Sequence, residues 1–353
     1  MSNAAPGDRP AAVENARRKA FAGLRKAVQK SPAPVQRALS GGSVRVLDAL
    51  GTPAVPPPPP VVSGEPVWVS PELPTPDGVS LEAIEKTFRS WSISGEPVGH
   101  MDDYVTDSFH RFLHTWSLVR DEKGTALELG ANPYFTTYLL DEYTDLELTL
   151  ANYFGHNGTI EETLSYLPDG ATERVEKLRT SEMFNVEEDP FPYGDDSLDV
   201  VLFCEMLEHM LMDPTATLRE IHRILKPHGV LVLTTPNVAR IINVLAFVNG
   251  ANIYDPYSGY GPYGRHNREF TRHELHLLLE FLGFDIETSI TADGHPVHAE
   301  SWPKYEQVAP LIEYRKADLG HYLFVKARKA RPPREGLPSF LFRSYPAGVI
   351  VDV

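Results

Sequence analysis

The 353-residue chain has a single cysteine, Cys204, which excludes an intramolecular disulfide and any zinc site built from several cysteines. One cysteine also suits a reducing compartment. No run of about 18 apolar residues occurs, so a membrane span is not expected. The N-terminus lacks the basic-then-apolar order of a signal peptide. We therefore expect a soluble, cytoplasmic protein.

Basic residues are scarce, since 33 lysines and arginines face 48 acidic residues and the net charge is −15. A chain this acidic is a poor candidate for non-specific nucleic-acid binding. Residues 1–50 are the exception, with nine basic and three acidic residues and apolar positions at helical spacing. Residues 52–60 are rich in proline, which favours a stiff spacer. We expect residues 1–65 to form a basic, flexible arm and linker; the alternative is a segment that contacts a partner or an anionic surface.

Beyond residue 125, short apolar strands alternate with helical patterns. The predicted strands are residues 125–129, 146–150, 200–204, 230–234, 284–290 and 321–327. The central ones are apolar throughout, which is typical of strands covered on both faces. The order predicts an open, doubly wound α/β sheet. Residues 66–120 are predicted to be a helical extension or lid, and residues 329–353 a C-terminal extension.

Helix boundaries are well marked in this part of the chain. Ser80 is a plausible N-cap, and Asp213 followed by Pro214 predicts a second helix start. Residues 271–274 form a capping box. Apolar stripes follow both of the later starts, which predicts helices that cover the sheet.

The loops after the predicted strands hold the candidate binding residues, because ligands of such sheets lie at the carboxyl ends of the strands. Glu128 and Gly130 end the first strand, but no complete Gly-x-Gly-x-x-Gly follows, so the dinucleotide fingerprint is absent. A carboxylate beside a glycine turn suits a ligand with a cationic group and hydroxyls. Asn152 follows the second strand, and Asn185 precedes the turn into the strand that ends at Glu205.

Four stretches in order make the chain resemble a class I S-adenosylmethionine-dependent methyltransferase. They are Leu-Glu-Leu-Gly at 127–130, the turn and strand at 189–202, Glu-Met-Leu-Glu-His at 205–209, and residues 218–237. The resemblance covers residues 125–237 motif by motif and 100–327 in the order of elements. It implies a mostly parallel, seven-stranded Rossmann-like methyltransferase sheet in residues 121–328, and S-adenosylmethionine as cofactor.

The resemblance also implies roles for the loop residues. The cofactor-binding residues would be Glu128, Gly130, Asn132, Asn152, Asn185, Val186, Cys204 and Glu205. Glu128 and Gly130 would lie near the amino-acid end of the methionine, and Asn152 near the ribose, where the family more often has an acid. Asn185 and Val186 would meet the adenine. Cys204 and Glu205 would flank the sulfonium.

An insertion at residues 238–270 is the candidate acceptor lid. Its acceptor-binding candidates are Tyr257, Tyr260, Tyr263, Arg265, Asn267 and Arg268. Aromatic rings stack on sugar faces while Arg and Asn read hydroxyls; the alternative is that the tyrosines only pack the lid. The insertion also resembles, more loosely, that of bacterial surface-glycan and natural-product sugar O-methyltransferases. This predicts methyl transfer to a sugar hydroxyl of a small-molecule or glycan acceptor.

His266 is the first candidate for general base and His209 the second, because a hydroxyl nucleophile must lose its proton and imidazole titrates near neutrality. A divalent metal on Glu205, Glu208, His209 and Asp213 is conceivable, but the spacing matches no compact motif and solvated acids are the favoured interpretation. Other interpretations remain open: an N- or C-methyltransferase, a catalytically silent scaffold acting through the basic arm, and a homo-oligomer.

Overall fold

A computed structural model describes residues 71–259, 261–346 and 348–353. The predicted arm and linker at 1–65, the first residues of the 66–120 extension and Tyr260 lie outside the described residues. Among those described, no helix is both long and apolar enough to cross a membrane.

The described chain alternates helices and strands. The helices are α1 (Leu81–Arg89), α2 (Asp102–Ser117), α3 (Phe135–Tyr143), α4 (Pro214–Ile224), α5 (Ile241–Val248), α6 (Arg272–Phe281) and α7 (Tyr305–Ile312). The strands are β1 (Ser92–Ile93), β2 (Lys123–Leu129), β3 (Asp145–Asn152), β4 (Gly158–Tyr166), β5 (Val175–Met183), β6 (Leu198–Cys204), β7 (Leu225–Pro236), β8 (Phe284–Ala292), β9 (Tyr322–Lys329), β10 (Leu337–Pro338) and β11 (Ile350–Val351). One-turn 3-10 helices at Leu207–His209 and Pro262–Gly264 belong to the site described below.

Nine of the described strands form one sheet, in the order β1-β4-β5-β3-β2-β6-β7-β9-β8. The run from β5 to β7 is parallel, and β9 and β8 close that edge antiparallel. These seven strands confirm the predicted fold class, and the six predicted strands coincide with β2, β3, β6, β7, β8 and β9. The carboxyl ends of β2, β3 and β6 meet at one rim of the sheet.

The strands at the other edge were not predicted from the sequence. β4 pairs antiparallel with β5 along its whole length, and β1 pairs with the end of β4. Both longer strands carry charged residues at exposed positions, such as Glu161 and Glu176, and few fully buried ones. An edge that is this polar gives little of the apolar signal by which buried strands are recognised.

Two apolar layers enclose the sheet. On one face, α1, α2 and α3 pack an aromatic cluster that includes Phe88, Trp91 and Phe135. On the other face, α4 and α6 bury the stripes predicted from the sequence. The Trp91 indole donates a 2.9 Å hydrogen bond to the carbonyl of Pro133, in the loop that follows β2. The segment before the sheet therefore fixes the position of the first loop at the rim.

All three predicted helix starts are present. Ser80 and Asp213 accept hydrogen bonds from the backbone amides of Ala83 and Thr215, and Thr271 and Glu274 form the full capping box. We expect Thr271→Ala to lower the free energy of unfolding by about 1 kcal/mol. The N–H of Glu274 loses its acceptor, and the Glu274 carboxylate that accepts the N–H of Thr271 loses its hydrogen bond from the Thr271 hydroxyl. Thr271→Ser keeps the hydroxyl and should lose much less. Urea unfolding of the two variants checks this; equal losses would contradict it.

Candidate active site

A cavity of about 300 Å³ opens at the rim where β2, β3 and β6 end. Its walls come from residues 128–133 and 135–136 after β2, 152–154 after β3, 185 and 187 before β6, and 204–206 with 209–210 after β6, together with Tyr104, Arg111 and Phe112 of α2 and Tyr263 of the insertion. Within the described part of the chain, the lining includes three carboxylates, Glu128, Glu187 and Glu205, and no lysine. Glu128 and Gly130, predicted as neighbours at the end of the first strand, both line this cavity.

Glu128, at the end of β2, is the most buried of the three lining carboxylates. Its side chain is buried and accepts a 2.6 Å hydrogen bond from the Thr137 hydroxyl of α3. Burial raises the pKa of Glu128 to about 8, against the opposing effect of the Thr137 hydrogen bond. Below that pH the carboxyl group is mostly neutral in the free protein, and a cation that binds beside it would favour its ionised form.

The loop after β2 is held in place by the end of β3. Gly130 has a φ of +71°, a left-handed conformation that favours glycine, and its N–H donates to the carbonyl of Ala151. Asn152 accepts a 2.9 Å hydrogen bond from the backbone N–H of Asn132, and its amide donates to Ser181. The predicted ribose-binding Asn152 thus lines the cavity while both ends of its amide already pair with protein.

Asn185 lies at the opposite wall. Its amide donates to the hydroxyl of Tyr263 at 3.2 Å, while its side-chain oxygen accepts from the N–H of Glu187. Val186 does not line the cavity, because its side chain packs against the core; Glu187 takes that place in the lining. Of the predicted pair at this wall, the structure brings Asn185 but not the Val186 side chain to the cavity.

Cys204 and Glu205 end β6 beside the cavity. Glu205 adopts a φ of +53°, accepts a 2.8 Å hydrogen bond from Thr234, and its other oxygen lies 3.9 Å from the Arg111 guanidinium. Burial raises the pKa of Cys204 to about 12, so the thiol is neutral and is not a nucleophile at physiological pH.

Arg111 is the main residue that the sequence analysis missed. It is buried, donates to the Tyr104 hydroxyl at 2.7 Å, and its Nε has no hydrogen-bond partner. Its guanidinium lies over the ring of Phe112 at 4.9 Å. A buried, incompletely paired guanidinium in a cavity wall suits an anionic ligand group. In the sequence, the only signal is a lone arginine within an aromatic helix.

The two candidate bases are neighbours. The rings of His209 and His266 stand edge to face, with centroids 5.0 Å apart. His209 lines the cavity, and its Nδ1 contacts the carbonyl of Arg265 at 3.0 Å. His266 Nδ1 pairs with Glu269 at 2.9 Å, and Arg240 pairs with the other oxygen of Glu269. Burial lowers the pKa of His266, but the Glu269 hydrogen bond and the nearby carboxylates outweigh it, and the net pKa is raised.

The insertion brings only part of its predicted acceptor set to the cavity. Tyr263 lines it, whereas Tyr257 is 92% exposed with the Arg265 guanidinium over its ring. Asn267 donates to the carbonyls of His209 and Pro262, and so holds the insertion against the turn after β6. Arg268 pairs with Glu274 at the start of α6. The acceptor contacts predicted for these residues of the insertion remain predictions.

The metal set considered from the sequence is not assembled as a unit. Asp213 caps α4, and one oxygen of Glu205 is taken by Thr234. Glu208 and His209 instead meet His266, a residue that the sequence analysis had not grouped with them. The spacing of residues 205–213 could not reveal this cluster, because His266 belongs to the separate insertion.

Parts of the chain are similar to known methyltransferases. The profile of a family described as a methyltransferase domain matches residues 98–289, more than half of the chain. A protein of Mycolicibacterium smegmatis described as a probable S-adenosylmethionine-dependent methyltransferase is 34% identical over 106 residues, which is 30% of this chain. The match spans 35% of that relative's length.

Solved structures with a similar arrangement include two methyltransferases. One is the 1,6-didemethyltoxoflavin-N1-methyltransferase of Burkholderia thailandensis, bound to 1,6-didemethyltoxoflavin and S-adenosylhomocysteine. It is 18% identical, the TM-score is 0.37, and the match covers 65% of this chain and 82% of the other. The other is an S-adenosylmethionine-dependent methyltransferase of Archaeoglobus fulgidus. It is 14% identical, the TM-score is 0.39, and the match covers 65% of this chain and 100% of the other.

Proposed function

Because the chain belongs to the methyltransferase-domain family, among the class I S-adenosylmethionine-dependent enzymes, we propose that it methylates a hydroxyl group of a sugar, on a glycan or a glycosylated natural product. S-adenosylmethionine is the cofactor of this family. The observation that carries the choice of a hydroxyl is the His209–His266 pair, with His266 held by a buried carboxylate, next to the cavity.

The cavity suits this cofactor on charge. S-adenosylmethionine carries a methyl group on a permanently charged sulfonium, and an acidic wall stabilises that charge. We propose that Cys204 and Glu205 flank the sulfonium, and that Glu128 and the Gly130 turn receive the amino group of the methionine. Arg111, which lines the cavity and whose Nε makes no hydrogen bond, would receive the carboxylate.

The remaining walls would hold the nucleoside. Asn152 and the loop after β2 would border the ribose. To bind the ribose hydroxyls, the Asn152 amide would give up or share its hydrogen bonds with Asn132 and Ser181. Asn185 and Tyr263 form a hydrogen-bonded pair that can border the adenine. Because Tyr263 belongs to the insertion, the cofactor and acceptor parts of the site share a wall.

Acceptor activation is proposed to depend on His266. The Glu269 carboxylate accepts a hydrogen bond from Nδ1–H of His266, which leaves Nε2 as the basic nitrogen, the orientation that a general base needs. Arg240 holds Glu269 in turn. His209 is the second candidate base of the pair, and its Nδ1 contacts the carbonyl of Arg265. The exposed ring of Tyr257 beside Arg265 offers a face on which a sugar can stack.

The experiment that tests the hydroxyl acceptor is a transfer assay with labelled S-adenosylmethionine and three matched acceptor sets. Glycosides with free hydroxyls, aromatic or aliphatic amines, and carbon acids are compared under the same conditions. We expect label only in the glycoside set, as a base-stable ether. Label in amines or carbon acids alone would overturn the proposal and favour an N- or C-methyltransferase.

The raised pKa of Glu128 gives a pH dependence. A group that ionises near pH 8 in the free protein must be ionised to pair with the cationic end of the ligand, so binding below that pH releases a proton. We expect the affinity for S-adenosylhomocysteine to rise by up to about tenfold per pH unit below pH 8 and then to level off. Calorimetry from pH 6 to 9 measures this, with Glu128→Gln as control. A wild-type profile as flat as that of the Glu128→Gln variant would refute the role of Glu128.

A further inference from the structure

We propose that Glu208, His209 and His266 form a binding site for a divalent transition-metal cation, adjoining the cavity. Glu208 and His209 lie on the one-turn helix Leu207–His209 after β6, and His266 lies in the insertion. One donor atom of each residue lies within 4.8 Å of the others, and Glu208 Oε1 is 3.7 Å from His209 Nε2. A cation between them could reach all three.

The carboxylate of Glu208 points independently to a missing partner. Its residue is 0% exposed, Oε2 accepts a 2.8 Å hydrogen bond from Thr235, and Oε1 has no hydrogen-bond partner. Buried carboxylate oxygens without partners are costly and rare in folded proteins, and a bound ion is one of the standard ways to satisfy them. The unpartnered oxygen is the one that faces the imidazole of His209.

Both imidazoles are oriented in the way that metal ligands require. The carbonyl of Arg265 can only accept, so His209 Nδ1 carries the proton and Nε2 keeps its lone pair. His266 Nδ1 likewise donates to Glu269, and Arg240 fixes that carboxylate. An outer acceptor on the second ring nitrogen is the usual arrangement around metal-bound histidines.

A second cluster of donors around His266 is less suitable. Asp255, His266 and Glu269 also lie close together. However, Asp255 accepts the backbone N–H of His266, and Glu269 already pairs with both His266 and Arg240. Both oxygens of Glu269 and one oxygen of Asp255 are paired with protein, whereas the buried Glu208 Oε1 has no hydrogen-bond partner.

Two nitrogens and one carboxylate oxygen favour iron, cobalt, nickel or zinc over magnesium or calcium, which prefer oxygen ligands. Three protein ligands leave coordination positions open, and His209 lies in the cavity wall. This last step rests on the proposed function: the open positions would take acceptor oxygens and ease loss of a hydroxyl proton to water. With a cation bound, Nε2 of His266 would be a ligand of the ion, and the ion rather than the imidazole would favour loss of the acceptor proton.

The test uses the untagged full chain, freed of metal with a chelator and titrated with cobalt(II) while the visible d–d absorption is followed. We expect saturation at one cobalt per chain. Glu208→Gln and His266→Gln, which lie on separate segments, should each weaken binding by at least about tenfold. The exposed residue Glu188 provides the matched control, since Glu188→Gln should bind as the wild type does.

Absence of saturable cobalt binding, or equal affinity in all four proteins, would overturn the metal site. S-adenosylhomocysteine binding and thermal unfolding, measured on the same samples, show that the variants are folded. Cobalt binding without label in any hydroxyl acceptor would defeat the proposed acceptor and leave the metal site standing. If the chain binds no cobalt and its hydroxyl methylation is unchanged by chelator, the metal site is overturned and the proposed acceptor stands.

Discussion

Replacing His266 with alanine should lower the turnover number by about 100-fold or more, while the affinity for S-adenosylhomocysteine changes less than about twofold. The effect on turnover follows from losing a group that promotes deprotonation of the acceptor, which is typically worth about 10²- to 10⁴-fold. Affinity is preserved because His266 is not in the wall of the cofactor cavity. Single-turnover assays and calorimetry separate the two quantities.

His298 provides a matched control for this variant. It also pairs through Nδ1 with a nearby glutamate, Glu300, at 3.1 Å, but its side chain is 77% exposed and lies outside the cavity lining. His298→Ala should leave both turnover and affinity unchanged. If the two variants turn over at the same rate, or if His266→Ala abolishes cofactor binding as well, the role given to His266 is wrong.

Substituting Gly130 with valine should weaken S-adenosylhomocysteine binding by at least about tenfold. A β-branched residue is strained at a φ of +71°, at a cost on the order of 1–3 kcal/mol. An added Cβ would also lie 3.0 Å from the sulfur of Met206, which lines the cavity. The turn and the cavity wall must both shift, and the ligand loses its fit.

Gly78 separates strain from site chemistry. It has a similar φ of +74°, with nothing within 4 Å of an added Cβ, and it lies outside the cavity lining. Gly78→Val should therefore lower stability in the same way while binding S-adenosylhomocysteine as the wild type does. Equal loss of affinity in the two variants would mean that general destabilisation, and not the rim turn, controls binding.

The sequence predicted the features that depend on local order or on strong apolar patterns. The apolar strands β2, β3 and β6 to β9, the capping box at Thr271 and the glycine turn at Gly130 were all identified in this way, because each is encoded within a few residues. β4 was missed because its charged, exposed positions resemble a loop. The cofactor loops were found because parallel strands end at a common rim.

Contacts between distant segments could not be predicted from a single sequence. Arg111 reaches the cavity only because α2 packs across the sheet beside Glu205. Asn152 pairs with Asn132 across α3 and β3, and His266 meets Glu208 across α4, β7 and α5. A single sequence does not specify how such segments come together. The buried, unpartnered oxygen of Glu208 is likewise a property of packing, since nothing in residues 205–209 distinguishes a solvated acid from a buried one.

Calorimetric titration of the full-length protein with S-adenosylhomocysteine tests the central claim most directly. If the acidic cavity at the ends of β2, β3 and β6 is the cofactor site, one molecule binds per chain and S-adenosylmethionine competes for the same site. Reversing the charge of the wall with Glu205→Lys should then abolish binding of the sulfonium form. An absence of binding by both compounds, under conditions where the wild-type chain is folded, would contradict the account.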